Sequence, residues 1–178
     1  LETGFIGKPS KEQIADLCGN CHTGPAQFFG QGPHADISNT DNPTCITCHQ
    51  NHAVCDATLV LMDSTCASCH TESALLDVGR AIQSRLRAGA GEFERVRERF
   101  DRMQILRPNL QRIAPLLAGA ASSLRQADLQ THALDLELIE TQINSFRNDL
   151  AALNQALDDY HLGQQQRQWA VVGRWLFI

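Results

Sequence analysis

One five-residue pattern recurs three times early in this chain: Cys18-Gly19-Asn20-Cys21-His22, Cys45-Ile46-Thr47-Cys48-His49 and Cys66-Ala67-Ser68-Cys69-His70. All seven cysteines fall between Cys18 and Cys69, and six of them belong to these units. A disulfide framework would not place a histidine after each pair. Zinc takes the same ligand types, but it does not call for a histidine next to the second cysteine three times over. The seventh cysteine, Cys55, is left over. It reads as a buried thiol, with an intermolecular bridge as the competing role.

The spacing has a chemical reason in haem c. Two thioether bonds join two cysteines to the vinyl groups on one edge of a porphyrin. A two-residue gap lets one turn of backbone present both sulfurs to that edge. The histidine that follows then swings beneath the ring and binds iron. Three covalent haems are therefore expected, anchored by Cys18 and Cys21, by Cys45 and Cys48, and by Cys66 and Cys69. His22, His49 and His70 are the near-side iron ligands.

On these motifs the segment from Cys18 to His70 resembles the small multihaem c-type cytochromes, among them the class III types and the membrane quinol dehydrogenases. The resemblance implies covalent haem, bis-histidine iron, low potential, and electron transfer in the periplasm or outside the cell. The helical remainder of the chain does not match the compact members of that group.

A low-spin iron needs a second axial ligand. Four histidines remain, His34, His52, His132 and His161, with Met62 and Met103 as the alternative sulfur donors. His52 follows His49 by three residues. Such a stretch spans at most about 10 Å even when extended, and it would also have to wrap round the porphyrin edge. His52 is thus expected to serve a haem other than the one beneath which His49 lies. His34 sits in Gln31-Gly32-Pro33-His34, inside a loop long enough to cross a porphyrin. His132 occupies an apolar stripe, where a lone histidine is ordinarily a satisfied core residue. Three irons need three partners, however, and the loops supply only two, which selects His132 as the third. Spacing alone does not say which iron His34 serves. His161 lies one place off the stripe and reads as a surface residue, with ligation in a neighbouring subunit as the alternative.

The chain changes character near residue 72. Before it, Gly24-Pro25, Gly32-Pro33 and the run Ser38-Asn39-Thr40-Asp41-Asn42-Pro43 are turn signals. Little regular structure is expected there beyond short helical turns at the attachment units. After it the sequence is helical and lacks cysteine. The expected organisation is mainly α, with a loop-rich trihaem segment over 1–72 and an antiparallel helical bundle over 73–178 that packs on the haems.

Three bundle helices are readable. The first runs from about Ser73 to Ile105, with Ile82, Leu86, Phe93, Val96, Phe100 and Met103 in phase. Gly89 and Gly91 either break it or admit a bulky neighbour, and Pro108 ends it. The second runs from about Asn109 to Gln126, with Leu110, Ile113, Leu117, Ala120 and Leu124 in phase and Pro115 as a kink or true start. The third carries an unbroken stripe from Leu129 through His132, Leu136, Ile139, Ile143, Phe146, Leu150, Leu153 and Leu157 to Tyr160. Such a helix is roughly 50 Å long. Its stripe meets either the other two helices or a coiled-coil partner in another chain.

Composition narrows the function. The chain of 178 residues has a net charge of -5, which argues against a nucleic-acid partner. Arginines crowd the stretch from Arg80 to Arg125, where each is either solvated or paired with a haem propionate. The apolar run Trp169–Ile178 is far shorter than the roughly 20 residues of a membrane span and contains Arg174. It reads as the end of an amphipathic helix, with a membrane-docking tail as the alternative. Enough histidines exist to close all three irons, and no Cys-x-x-Cys-Lys unit is present. An electron carrier is expected rather than an enzyme, with redox proteins as partners. The alternative is a subunit of a larger haem assembly, built from copies of itself or docked at a membrane.

Overall fold

The computed structural model describes residues 9–50, 59–106 and 110–175. His52 and Cys55 lie outside these described residues, as does the segment between α3 and α4 that carries them. Among the described residues the secondary structure is entirely helical: α1 (Lys11–Gly19), α2 (Thr23–Phe29), α3 (Cys45–His49), α4 (Leu59–Ala67), α5 (Ser73–Leu106), α6 (Ala114–Gln130), a 3-10 turn (Thr131–Ala133) and α7 (Leu136–Trp175). The mainly α class is as the sequence implies. None of these helices is long and apolar enough to cross a membrane.

The chain packs as two units. The first comprises residues 1–86 and 126–140, the second residues 87–125 and 141–178. The change of composition near residue 72 falls inside the first unit.

Within the first unit the attachment region holds more helix than its turn-rich sequence suggests. Ser10 starts α1, its backbone N–H donating to Gln13 Oε1 at 2.9 Å, one half of a capping box. Gly24 and Pro25 were expected in a turn but lie in the first turn of α2. Proline is tolerated there because the first N–H groups of a helix have no internal acceptor. The polar run after Ala35 does form a loop, bonded mainly to itself. Ser38 N–H donates to Asp36 Oδ1 at 3.1 Å, Asp41 N–H to Asn39 Oδ1 at 3.0 Å, and Asn42 Nδ2 to the Asp36 carbonyl at 2.9 Å. Lys11 Nζ pins this loop to α1 by donating to the Asn39 and Thr40 carbonyls at 2.7 and 2.8 Å. α1 packs on α2 and α3, α3 packs on α4, and α2 packs on the 3-10 turn.

α5 spans 34 residues without a break at Gly89 or Gly91. Gly89 is there for close approach: a Cβ would lie 3.2 Å from Leu124 Cδ1 and 3.4 Å from a Phe146 ring carbon. The expected second helix is shifted towards the C-terminus. Leu110 and Ile113, both buried, form a turn in which Ile113 N–H donates to the Leu110 carbonyl at 2.8 Å. α6 then begins at Ala114, with Pro115 again in the first turn.

The largest correction concerns the third helix. The stripe expected to run unbroken from Leu129 to Tyr160 is interrupted over residues 131–135. Thr131 Oγ1 donates back to the Asp128 carbonyl at 2.6 Å, and Leu134 adopts a left-handed backbone with φ 51° and ψ 29°. Asp135 Oδ1 then accepts from Leu138 N–H at 3.1 Å and caps a new helix. Leu129 therefore belongs to α6 and His132 to the 3-10 turn. α7 runs on to Trp175, 40 residues or roughly 60 Å.

From Ile139 onward the stripe is as expected. In the second unit Phe146, Leu150, Leu153 and Leu157 of α7 form one buried cluster with Val96 and Phe100 of α5, Ala120 of α6, and Leu110 and Ile113. The stripe is thus filled by helices of the same chain. Polar contacts fix the directions. Arg99 reaches Asn154 at 3.2 Å and also Asp158, while Glu92 meets Arg147 at 3.4 Å, so α5 and α7 run parallel. Gln142 Nε2 donates to the Ser123 carbonyl at 3.2 Å and Ser123 Oγ donates to Asp149, which sets α6 against α7. α6 packs antiparallel to its two neighbours, the expected bundle pattern. The Arg85–Glu140 pair in the first unit keeps the 55-residue offset that Glu92–Arg147 and Arg99–Asn154 show in the second.

Leu153→Ala is expected to cost about 2–5 kcal/mol by cavity formation at a fully buried site. Leu162→Ala, at a side chain 55% exposed, should change stability by less than about 0.5 kcal/mol. Urea unfolding followed by helical circular dichroism measures both.

Candidate metal-ligand site

The first and third attachment units share one construction. Each begins in the last turn of a helix, Cys18 in α1 and Cys66 in α4. In each, the backbone N–H of the histidine donates to the carbonyl of the first cysteine at 2.8 Å, His22 to Cys18 and His70 to Cys66. The N–H of the second cysteine donates to the same carbonyl at 3.2 Å in both. One turn of backbone therefore presents two sulfurs and then an imidazole, as the spacing requires.

The middle unit is itself a one-turn helix, α3. Buried Thr44 starts it: its N–H donates to Thr47 Oγ1 at 3.0 Å, and its carbonyl accepts from Thr47 N–H at 2.9 Å. Gln50 stops it with φ 64° and ψ 179°, a backbone region nearly confined to glycine that costs about 1–3 kcal/mol in other residues. The helix is thus held to the length of the unit.

None of the six motif cysteines takes part in a disulfide. Burial, and next the neighbouring Cys18 thiol, push the Cys45 thiol upward from its ordinary pKa. Burial and the nearby Cys66 do the same to Cys48, and burial and Asp63 to Cys66. In each case loss of hydration disfavours the charged thiolate. Among the described residues no three of His, Cys, Asp and Glu converge on a common point as ion ligands.

The imidazoles instead come together in pairs. His34 faces His70 with ring centres 6.1 Å apart and planes inclined by 31°. His49 faces His132 with ring centres 6.1 Å apart and planes inclined by 21°. Near-parallel rings in face contact would sit about 3.5–4 Å apart. A metal–imidazole bond is about 2 Å and the ring centre lies about 1 Å behind its nitrogen, so two imidazoles on opposite sides of one metal have centres about 6 Å apart. Both pairs have that separation. Each pair joins one histidine from an attachment unit to one selected for the far side.

The protein also orients one far-side ring. His132 Nδ1 donates to the Leu129 carbonyl at 3.1 Å, which leaves Nε2 free to bind a metal. A backbone carbonyl on the second ring nitrogen is the usual support of a ligating histidine. Burial holds the His132 imidazole below its ordinary pKa, with the Leu129 carbonyl acting the other way and His49 adding to the lowering. Burial, then His70, lowers that of His34. Both rings are therefore held towards the neutral form that a metal ligand needs.

A close backbone contact couples the two far-side histidines. A Cβ on Gly32 would lie 2.9 Å from the Ala133 carbonyl oxygen and 3.1 Å from that of His132. The strap carrying His34 thus rests on the turn carrying His132, and only glycine fits between them. Nearby, a Cβ on Gly24 would lie 3.2 Å from Leu129 Cδ1, where α2 seats the end of α6. No spacing rule points to Gly32. The only cue is a glycine two places before a candidate ligand.

The remaining candidates fall elsewhere. His161 lies on α7 in the second unit, exposed, with its Nε2 3.0 Å from Gln165 Nε2. Several of the crowded arginines pair with carboxylates of the chain: Arg80 with Asp63 at 2.8 Å and Asp77 at 3.1 Å, Arg97 with Glu94 at 2.6 Å, and Arg85 with Glu140.

Comparison with known proteins gives no match to any family model, any curated protein or any solved structure.

Gly32→Ala is expected to push the strap and the turn apart at the cost of about 1–3 kcal/mol. Urea unfolding followed by helical circular dichroism measures the cost. An unchanged midpoint would show that the strap and the turn accommodate a methyl group at this position.

Proposed function

We propose that this chain is an electron-transfer protein carrying three covalent haems c with bis-histidine iron. The observation that carries the proposal is the pair of imidazole couples at 6.1 Å, each combining one motif histidine with one from elsewhere in the chain. The residues fit the group: paired cysteines one turn apart, an imidazole after each pair and, for the second and third units, another imidazole at a separation that suits a shared iron. When bound, haem supplies a one-electron iron couple that is exchanged without breaking bonds.

On this proposal the cysteines of each unit fix one edge of a porphyrin. His70 and His34 would hold one iron, and His49 and His132 would hold another. His22 is the near-side ligand of the third, with His52 as the candidate for its far side. Two histidines for each of two irons, with His52 as a candidate beside His22 for the third, favour a carrier over an enzyme. Attachment of haem c, by resemblance, places the protein in the periplasm or outside the cell, exchanging electrons with other redox proteins.

A second role, as a docked or assembled subunit, draws support from the end of α7. Leu162, Trp169, Val171 and Val172 are all exposed there, Trp169 to 73%. Sedimentation of the native protein with and without membrane vesicles distinguishes a free carrier from a docked subunit.

Intact mass is expected to exceed that of the polypeptide by three haems, and pyridine haemochrome should count three per chain. His132→Ala and His34→Ala should each keep all three haems attached while turning one iron high-spin. A colourless protein, or a low-spin spectrum unchanged in both variants, would overturn the proposal.

A further inference from the structure

The order of the three centres follows from how the attachment units pack, and it rests on the proposed haem ligation. α3 packs on both α1 and α4. These three helices carry Cys45 and Cys48, Cys18, and Cys66 respectively. At the level of sulfur atoms, Cys18 lies beside Cys45, and Cys48 lies within electrostatic reach of Cys66. The middle unit therefore neighbours the first through its leading cysteine and the third through its trailing one. The histidines repeat the pattern. His22 of the first unit is near enough to act electrostatically on His132, the partner of His49. His34, the partner of His70, sits on the strap that touches the His132 turn through Gly32.

We infer that the centre held by Cys45, Cys48, His49 and His132 occupies the middle of the three, between the centre of the first unit and that of the third. Spatial order then equals chain order. An electron entering at one outer iron reaches the other through the middle iron. Each internal transfer oxidises one iron and reduces its neighbour by one electron, and no bond is made or broken. The electron is supplied and removed by one-electron redox proteins at the two ends.

The test uses the native holoprotein. A redox titration followed by proton NMR, with each haem assigned through its attached cysteines, gives three pairwise interactions: how far reduction of one haem shifts the midpoint of another. Coulombic interaction falls with separation. The interactions between first and middle and between middle and third haems should both exceed that between first and third. If the first–third interaction equals or exceeds either of the others, the middle assignment is overturned. A preparation with no haem resonances would instead defeat the proposed function itself, so the two failures are distinguishable.

Discussion

On the proposed function the arrangement depends on one constraint: a flat ring bound at its edge by one stretch of chain needs a second ligand on its far face, and that stretch cannot supply it. The far-side imidazole must come from elsewhere. In this chain His34 meets His70 and His132 meets His49, each couple at 6.1 Å. One partner precedes its unit in sequence and the other lies far beyond it. Sequence distance matters little to the cost, because loop-closure entropy grows only as the logarithm of loop length. Closing the longer His49–His132 loop costs less than about 1 kcal/mol more than the shorter one. The harder requirement is to hold each imidazole at the right separation once it has arrived.

Helices meet that requirement for His132. The ring sits in a single 3-10 turn between α6 and α7, and each flank of the turn is fixed by local chemistry. Thr131 bonds back to Asp128, Leu134 takes the left-handed conformation, and Asp135 caps α7. The Leu129 carbonyl then fixes which nitrogen of His132 faces outward. Register matters as much as capping. In each unit the polar pairs between α5 and α7 keep an offset of 55 residues, and successive pairs are one heptad apart along each helix. Exposed ion pairs of this kind contribute little stability. Their value lies in disfavouring a slip of one helix along the other.

Much of this was legible in the sequence and some was not, for identifiable reasons. The three Cys-x-x-Cys-His units are legible because residue type and spacing recur together. The buried stripe of α7 from Ile139 to Leu157 is readable because every third or fourth residue is apolar. The break over residues 131–135 is masked by the same periodicity, since Leu129, His132 and Leu136 continue it in phase. Asp135 was the available signal, an N-cap residue just before a helical run. Gly24-Pro25 misled in the opposite direction, because proline suits a first helical turn as well as a loop. Pairing of ligands was beyond reach. Spacing bounds how far a histidine can travel, which ruled His52 away from the iron of His49, but it does not select among the irons within range.

The position of His132 also decides where the functional boundary lies. Composition divides the chain near residue 72, yet the first packed unit takes in residues 126–140 together with the attachment region. Residues 1–72 contain both imidazoles of the His34–His70 couple and only one of the His49–His132 couple. On the proposed ligation, the centre between the other two is therefore the one that the helical part must complete. Bound metal stabilises whatever conformation presents its ligands, and that conformation raises affinity for the metal by the same free energy. The segment from α6 through the start of α7 and the middle centre are then linked reciprocally. Loosening the turn at Thr131–Ala133 weakens the sixth ligand, and removing that ligand releases the turn. On that ligation the turn between α6 and α7 carries a residue of the site itself, His132.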